Sequence, residues 1–119
     1  MASILRVNTL TDASSNNSIA TSFVASGSAK VWVFMTDNVI TDSLNTSSST
    51  DEGSGDYTIT IASDMANTNF ASGGNVHEDF NMIVALRAKA SGSYRVKIED
   101  TANGAGDSNH GSIICGDLA

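Results

Sequence analysis

An all-β fold, an antiparallel β-sandwich of jelly-roll or immunoglobulin-like build with an N-terminal arm, is what three features of this 119-residue sequence predict. The first is strict period-two alternation. Tyr57, Ile59 and Ile61 fall on one side of an extended chain and Thr58 and Thr60 on the other, the pattern of a sheet with one wet face. The second is a recurring order of apolar run, polar glycine turn and apolar run, found around residues 51–56 and again at Ser91-Gly92. The third is composition. Ser, Thr and Asn supply 40 residues and proline none, which suits solvated strands and turns and disfavours helix.

Taken in order, residues 1–10 read as a first strand, with Leu5, Val7 and Thr9 alternating against Ile4, Arg6 and Asn8. Residues 11–18 are an Asn/Ser/Asp-rich loop or linker, which sets the arm at 1–18 and the sandwich at 19–119. An isolated strand leaves its backbone groups unpaired. Ile4, Leu5, Val7 and Leu10 are therefore expected to attach the arm to an edge on a neighbouring subunit or another protein. Residues 19–25 fit either an irregular arm or a short strand. Residues 29–35 are apolar apart from Lys30, with Trp32 and Phe34 on one face and Val31, Val33 and Met35 on the other, so both faces call for apolar cover.

Residues 39–50 and 56–62 read as an antiparallel hairpin around the Asp51-Glu52-Gly53-Ser54-Gly55-Asp56 turn, where two glycines tolerate positive φ. Residues 63–75 are loop-like, anchored by Met65 and Phe70. From 80 to 90, Phe80, Met82, Val84, Leu86 and Ala88 share one face; a helix fits this run too, but the neighbouring period of two favours strand. After the Ser91-Gly92 turn, Tyr94, Val96 and Ile98 point inward and Arg95, Lys97 and Glu99 outward. A long polar loop over 100–111 leads to a last short strand at 112–118. The predicted core is Val31, Trp32, Val33, Phe34, Tyr57, Ile59, Ile61, Phe80, Val84, Tyr94, Val96 and Ile98, from six or seven strands. It is poor in aromatics for a domain of this size, which predicts an oligomer.

The formal charge of −7 argues against nucleic acid, because phosphate needs clustered cations and only Arg87, Lys89, Arg95 and Lys97 form a group. It also argues against anionic membrane surfaces. No basic n-region with an apolar run opens the chain, and no window approaches about 18 apolar residues, so no membrane role is expected. Cys115 is the single cysteine, so no intrachain disulfide forms, and its place beside Ile113-Ile114 reads as a small buried hydrophobe.

Candidate chemistry is sparse. Residues 100–109 hold enough oxygen for a hard cation such as calcium but lack EF-hand spacing, and read as a solvated loop. Asp51, Glu52 and Asp56 receive the same reading, since a general acid needs burial and a glycine turn exposes them. His77, beside Glu78 and Asp79, and His110 read as surface residues rather than a metal pair. Gly53-Ser54-Gly55 lacks the lysine and helix of a phosphate loop. Neither a cofactor nor an enzyme activity is expected.

Several segments carry a resemblance. Ala29-Lys30-Val31-Trp32-Val33, then Asp42-Ser43 with Asn45 and Ser47-Ser48, then Thr50-Asp51 with Gly53 and Gly55-Asp56-Tyr57-Thr58, together resemble a module of tail-fibre-type virion proteins of marine bacteriophages. Residues 4–14 are similar to the opening segment of such proteins, and Cys115-Gly116-Asp117 to their ending. The chain departs from the pattern at Leu44, where an aromatic is usual, and in a shorter link from Phe34 to Asp42; receptor specificity does not transfer. The resemblance implies a virion structural protein made in the bacterial host, oligomeric with a trimer favoured. Its partners would be other phage virion proteins of capsid or tail, with a host-surface glycan as a further contact. The absence of a shaft keeps a second reading open, a capsid cement or decoration protein that bridges major capsid subunits. A stand-alone carbohydrate-binding domain is a third.

Overall fold

The computed structural model describes residues 3–4, 6–15, 17–77, 81–102 and 104–119. Leu5 of the arm and Phe80 of the predicted core lie outside the described residues, as do Glu78 and Asp79. The elements in chain order are β1 (Thr9–Thr11), β2 (Ser18–Ala20), α1 (Thr21–Gly27), β3 (Ala29–Thr36), β4 (Val39–Leu44), β5 (Thr46–Gly53), β6 (Asp56–Ile61), β7 (Ala71–Val76), β8 (Met82–Ala90), β9 (Ser93–Asp100) and β10 (His110–Cys115). Two antiparallel sheets pack face to face, a first of order β4-β3-β10-β7 and a second of order β5-β6-β9-β8. The β1-β2 pair stands apart as a small sheet of its own.

Alternation decides what is buried. Val31, Val33, Met35 and Ile114 point inward from the first sheet, and Tyr57, Ile59, Ile61, Tyr94, Val96 and Ile98 from the second. Met65 and Phe70 close the core from the β6–β7 connection, and Val84 and Leu86 pack at its margin. The all-β sandwich is as the sequence predicts. Trp32 and Phe34 are not in the core, however. They sit half-buried on the outer face of the first sheet, because a sandwich covers only one face of each sheet and Val31, Val33 and Met35 occupy it. Cys115 is likewise half-buried rather than enclosed.

Residues 39–50 are two strands rather than one. Asn45 adopts a left-handed φ of 54°, and its side chain clamps Ser63 by accepting from Ser63 N (2.7 Å) and donating to Ser63 O (3.0 Å). The corner moves the chain from β4 in the first sheet to β5 in the second, so only β5 pairs with β6. The segment 63–75 holds a strand, β7, that its Ala-Ser-Gly-Gly-Asn sequence does not announce. β7 forms by pairing along the whole of β10. A Cβ on Gly74 would stand 2.7 Å from Val84 Cγ1, so the missing side chain is what lets this strand lie against the second sheet.

The N-terminal segment is more structured than a single strand. β1 begins at Thr9 and pairs with β2 of the same chain, and α1 follows at once over a stretch whose sequence fits an irregular arm or a short strand. Thr21 ties the hairpin together, its N donating to Asn8 O (2.9 Å) and its hydroxyl to Val7 O (3.0 Å). The boundary at 18/19 therefore cuts through β2, and the segment outside the two sheets runs through Gly27. No residue of α1 is buried. The radius of gyration, 17.1 Å, exceeds the roughly 13.5 Å of a compact chain of this length, and the molecule measures 52 × 30 × 25 Å, so the segment projects. Among the described residues no helix is long and apolar enough to cross a membrane.

Candidate functional site

One end of the sandwich gathers the β5–β6 turn, the β3–β4 turn and the β9–β10 loop around Tyr57. Its ring fills the core, and its hydroxyl lies 2.8 Å from Asp107 Oδ1 and 2.6 Å from Asn38 Oδ1, donating to both in a three-centre bond. Asp107 Oδ1 also accepts from Gly55 N (2.7 Å), and Oδ2 accepts from Asn38 Nδ2 (3.2 Å). The Gly55 N–H and the Tyr57 hydroxyl hold Asp107 below the usual carboxylate range, outweighing burial, with Asn38 adding to the effect. Burial, the Asp107 hydrogen bond, and the charges of Asp107 and Asp51 push the Tyr57 phenol well above its ordinary value. Asp37, Asn38, Asp107, Ser108 and Asn109 line a cleft of about 270 Å³ beside this cluster.

Asp100, Asp107 and Asn109 of the 100–109 loop thus spend side-chain oxygens on the protein. Asp100 Oδ1 accepts from Ala102 N (2.8 Å) and Gly104 N (2.6 Å), and Asn109 Oδ1 accepts from Asp37 N (3.1 Å). Among the described residues no three His, Cys, Asp or Glu side chains gather as a metal-holding group.

His110 is not a surface residue. It opens β10 on the inward face it shares with Ser112 and Ile114, is 1 % exposed, and stacks on Tyr57 at 5.1 Å between ring centroids. Its Nδ1 lies 3.0 Å from Ser108 O. Burial lowers its pKa, the Ser108 carbonyl opposes this, and nearby His77 lowers it further. His77 is exposed beside it, edge-on to Phe34 at 4.8 Å, so the two histidines are neighbours in space. The period-two run of His110, Ser112 and Ile114 was the available signal for the burial.

On the outer face of the second sheet, Asp56 is buried under cations. Arg95 binds it with two hydrogen bonds, Nε to Oδ1 at 2.7 Å and a terminal nitrogen to Oδ2 at 3.0 Å, while Arg87 approaches to 2.8 Å and Lys97 to 3.8 Å. Burial alone would raise the Asp56 pKa, but the Arg95 hydrogen bond and the charges of Arg95, Arg87 and Lys97 bring it below the ordinary value. That is the opposite of what a general acid requires. Asp51 accepts from Gly53 N (2.9 Å) and Glu52 from the Thr58 hydroxyl (2.8 Å). Lys89 donates to Phe70 O (3.0 Å) and lies 5.0 Å from the centroid of its ring. The one basic group in the sequence is thus turned toward internal partners.

These shifts fix a pH response. The folded chain refuses a proton at His110 that the unfolded chain accepts near 6.5, so stability falls as pH drops through about 6.5 toward the lower folded value. Asp56 and Asp107 have lowered folded values, so their contribution is present above about 4 and is lost as pH falls through those values. Urea midpoints are expected to decline in these two stages, and His110→Phe, which keeps a ring on Tyr57, should remove the first. A wild-type midpoint unchanged between pH ~7 and ~5 would mean that the folded protein protonates His110 freely.

No known protein family, curated protein or solved structure matches the chain.

Proposed function

We propose that this chain is a structural protein of a bacteriophage virion, an appendage module of tail-fibre type on the particle surface. It works as a homo-oligomer, with a trimer favoured, beside other capsid or tail proteins, and its loops face outward toward host-surface glycan. The observation that carries the reading is what the resembling residues do. Gly55 shapes the hairpin turn, Asp56 collects three cations, Tyr57 fills the core and ties in the late loop, and the Thr58 hydroxyl binds Glu52. That these four members of the signature serve architecture supports a scaffold. The role is mechanical rather than catalytic, in keeping with the structural occupation of Asp56, Asp107 and His110.

The cement reading draws support from the exposed apolar N-terminal segment, since Ile4 is 75 % and Phe23 71 % exposed, a surface suited to fastening neighbours. Quantitative mass spectrometry and immunogold labelling of purified particles separate the two. A few dozen copies or fewer at tail or vertices are expected for the appendage, and hundreds over the shell mean cement. Absence from particles ends both.

A further inference from the structure

Two apolar surfaces of this chain lie open. The first is the N-terminal segment, where Ile4, Val7, Leu10, Ile19, Phe23 and Val24 are all exposed. The second is the outer face of the first sheet. There Trp32 pairs with Leu44 on β4 and Ile113 on β10, and Ile113 with Gly73 on β7, forming one row across four strands. Leu44 and Ile113 are 46 % and 45 % exposed. Beyond Ile113 the glycines leave a hollow of about 400 Å³, lined by Gly73, Gly74, Asn75, Gly111 and Ile113 together with Val33 and Ser112.

We propose that the N-terminal segment of one copy, led by Phe23 of α1, packs on the outer face of the β4-β3-β10-β7 sheet of a second copy. Three observations choose this occupant. A seven-residue helix with no side-chain N-cap and no buried residue is too short to be stable alone and requires apolar packing; its own sandwich supplies it with the Lys30 ammonium on the Ala25 carbonyl but buries none of its side chains. Residues 1–28 carry one cation, Arg6, and one anion, Asp12, so the whole −7 resides in residues 29–119. Two sandwiches repel each other, whereas a neutral segment approaches freely. Both surfaces expose large apolar side chains, Ile4 and Phe23 at 75 % and 71 % on the segment and Leu44 and Ile113 at 46 % and 45 % on the sheet, so a reciprocal exchange covers both at once. Each copy gives one segment and receives one, which a closed ring of two or three satisfies.

The inference rests on the assembly role proposed above, and the two fail separately. Light scattering on the eluting 119-residue chain should show an oligomer, with Trp32 fluorescence blue-shifted and shielded from iodide. Phe23→Asp and Ile113→Asp change exposed positions, so each should keep its β-sheet circular dichroism while associating at least about tenfold more weakly, with Trp32 becoming quenchable. Mixing the two variants should restore association in part, because one retains an intact face and the other an intact segment. A wild-type monomer at micromolar concentration, a freely quenched wild-type Trp32 that leaves the face to a glycan or another protein, oligomers undiminished in both variants, or no recovery on mixing would each overturn the exchange. None of these outcomes bears on where the chain sits on a particle, and a working exchange in a protein missing from virions would end only the virion reading.

Discussion

Gly55→Ala is expected to destabilise the domain by at least about 3 kcal/mol, read as a fall in the urea midpoint with little change in slope. The residue sits at φ 61°, where a side chain costs conformational energy. The larger effect is steric. An added Cβ would stand 2.5 Å from Ile98 O and 2.7 Å from Gly106 O, both backbone atoms that no rotamer change can move. Moving them would break the bond from Ile98 N to Gly55 O (2.7 Å) and pull Gly55 N away from Asp107. Gly53→Ala is the useful control. It also has a positive φ, 132°, but nothing lies within 4 Å of its Cβ position, so it carries backbone strain without the collision. Equal losses at the two sites would show that close packing of the late loop on Gly55 contributes nothing.

Tyr57→Ala should cost about 3–5 kcal/mol, the range for emptying a fully enclosed aromatic site. The ring is 0 % exposed and the stacking partner of His110, so its removal opens a cavity and also uncovers a buried imidazole. Tyr57→Phe separates the hydroxyl from the ring. It keeps the packing and removes only the bonds to Asp107 and Asn38, for about 1–2 kcal/mol. A phenylalanine variant as unstable as the alanine variant would place the importance of this residue in the polar cluster instead of the core. For a domain whose total stability is of order 5–15 kcal/mol, the alanine variant approaches unfolding at physiological temperature.

What was legible in the sequence followed from how each signal arises. Tyr57, Ile59 and Ile61, and Tyr94, Val96 and Ile98, are strands whose partners on both sides lie within one sheet, so period two alone placed them. The same period divided β3 into its two faces but could not say which the second sheet covers, which is why Trp32 and Phe34 were misplaced. The corner at Asn45 escaped because alternation carries no mark of which sheet a strand joins. β7 escaped because its register is dictated by β10, and its glycines exist to be thin rather than apolar. The charge cluster was equally hidden: Arg87 and Arg95 reach Asp56 only because β9 lies beside β6 and β8 beyond β9, a fact of topology that local sequence does not encode.

The route by which the N-terminal segment joins the sandwich has a mechanical meaning. α1 passes through Ser28 straight into β3, an interior strand flanked by β4 on one side and β10 on the other. Tension applied through the segment therefore runs along a strand whose ladders on both sides must slide together before it yields, whereas an edge strand would peel away one bond at a time. A segment tethered in this way resists force along the strand even though the thermodynamic stability of the fold is that of a small domain, and the strand that takes up the pull is the one whose outer face carries Trp32.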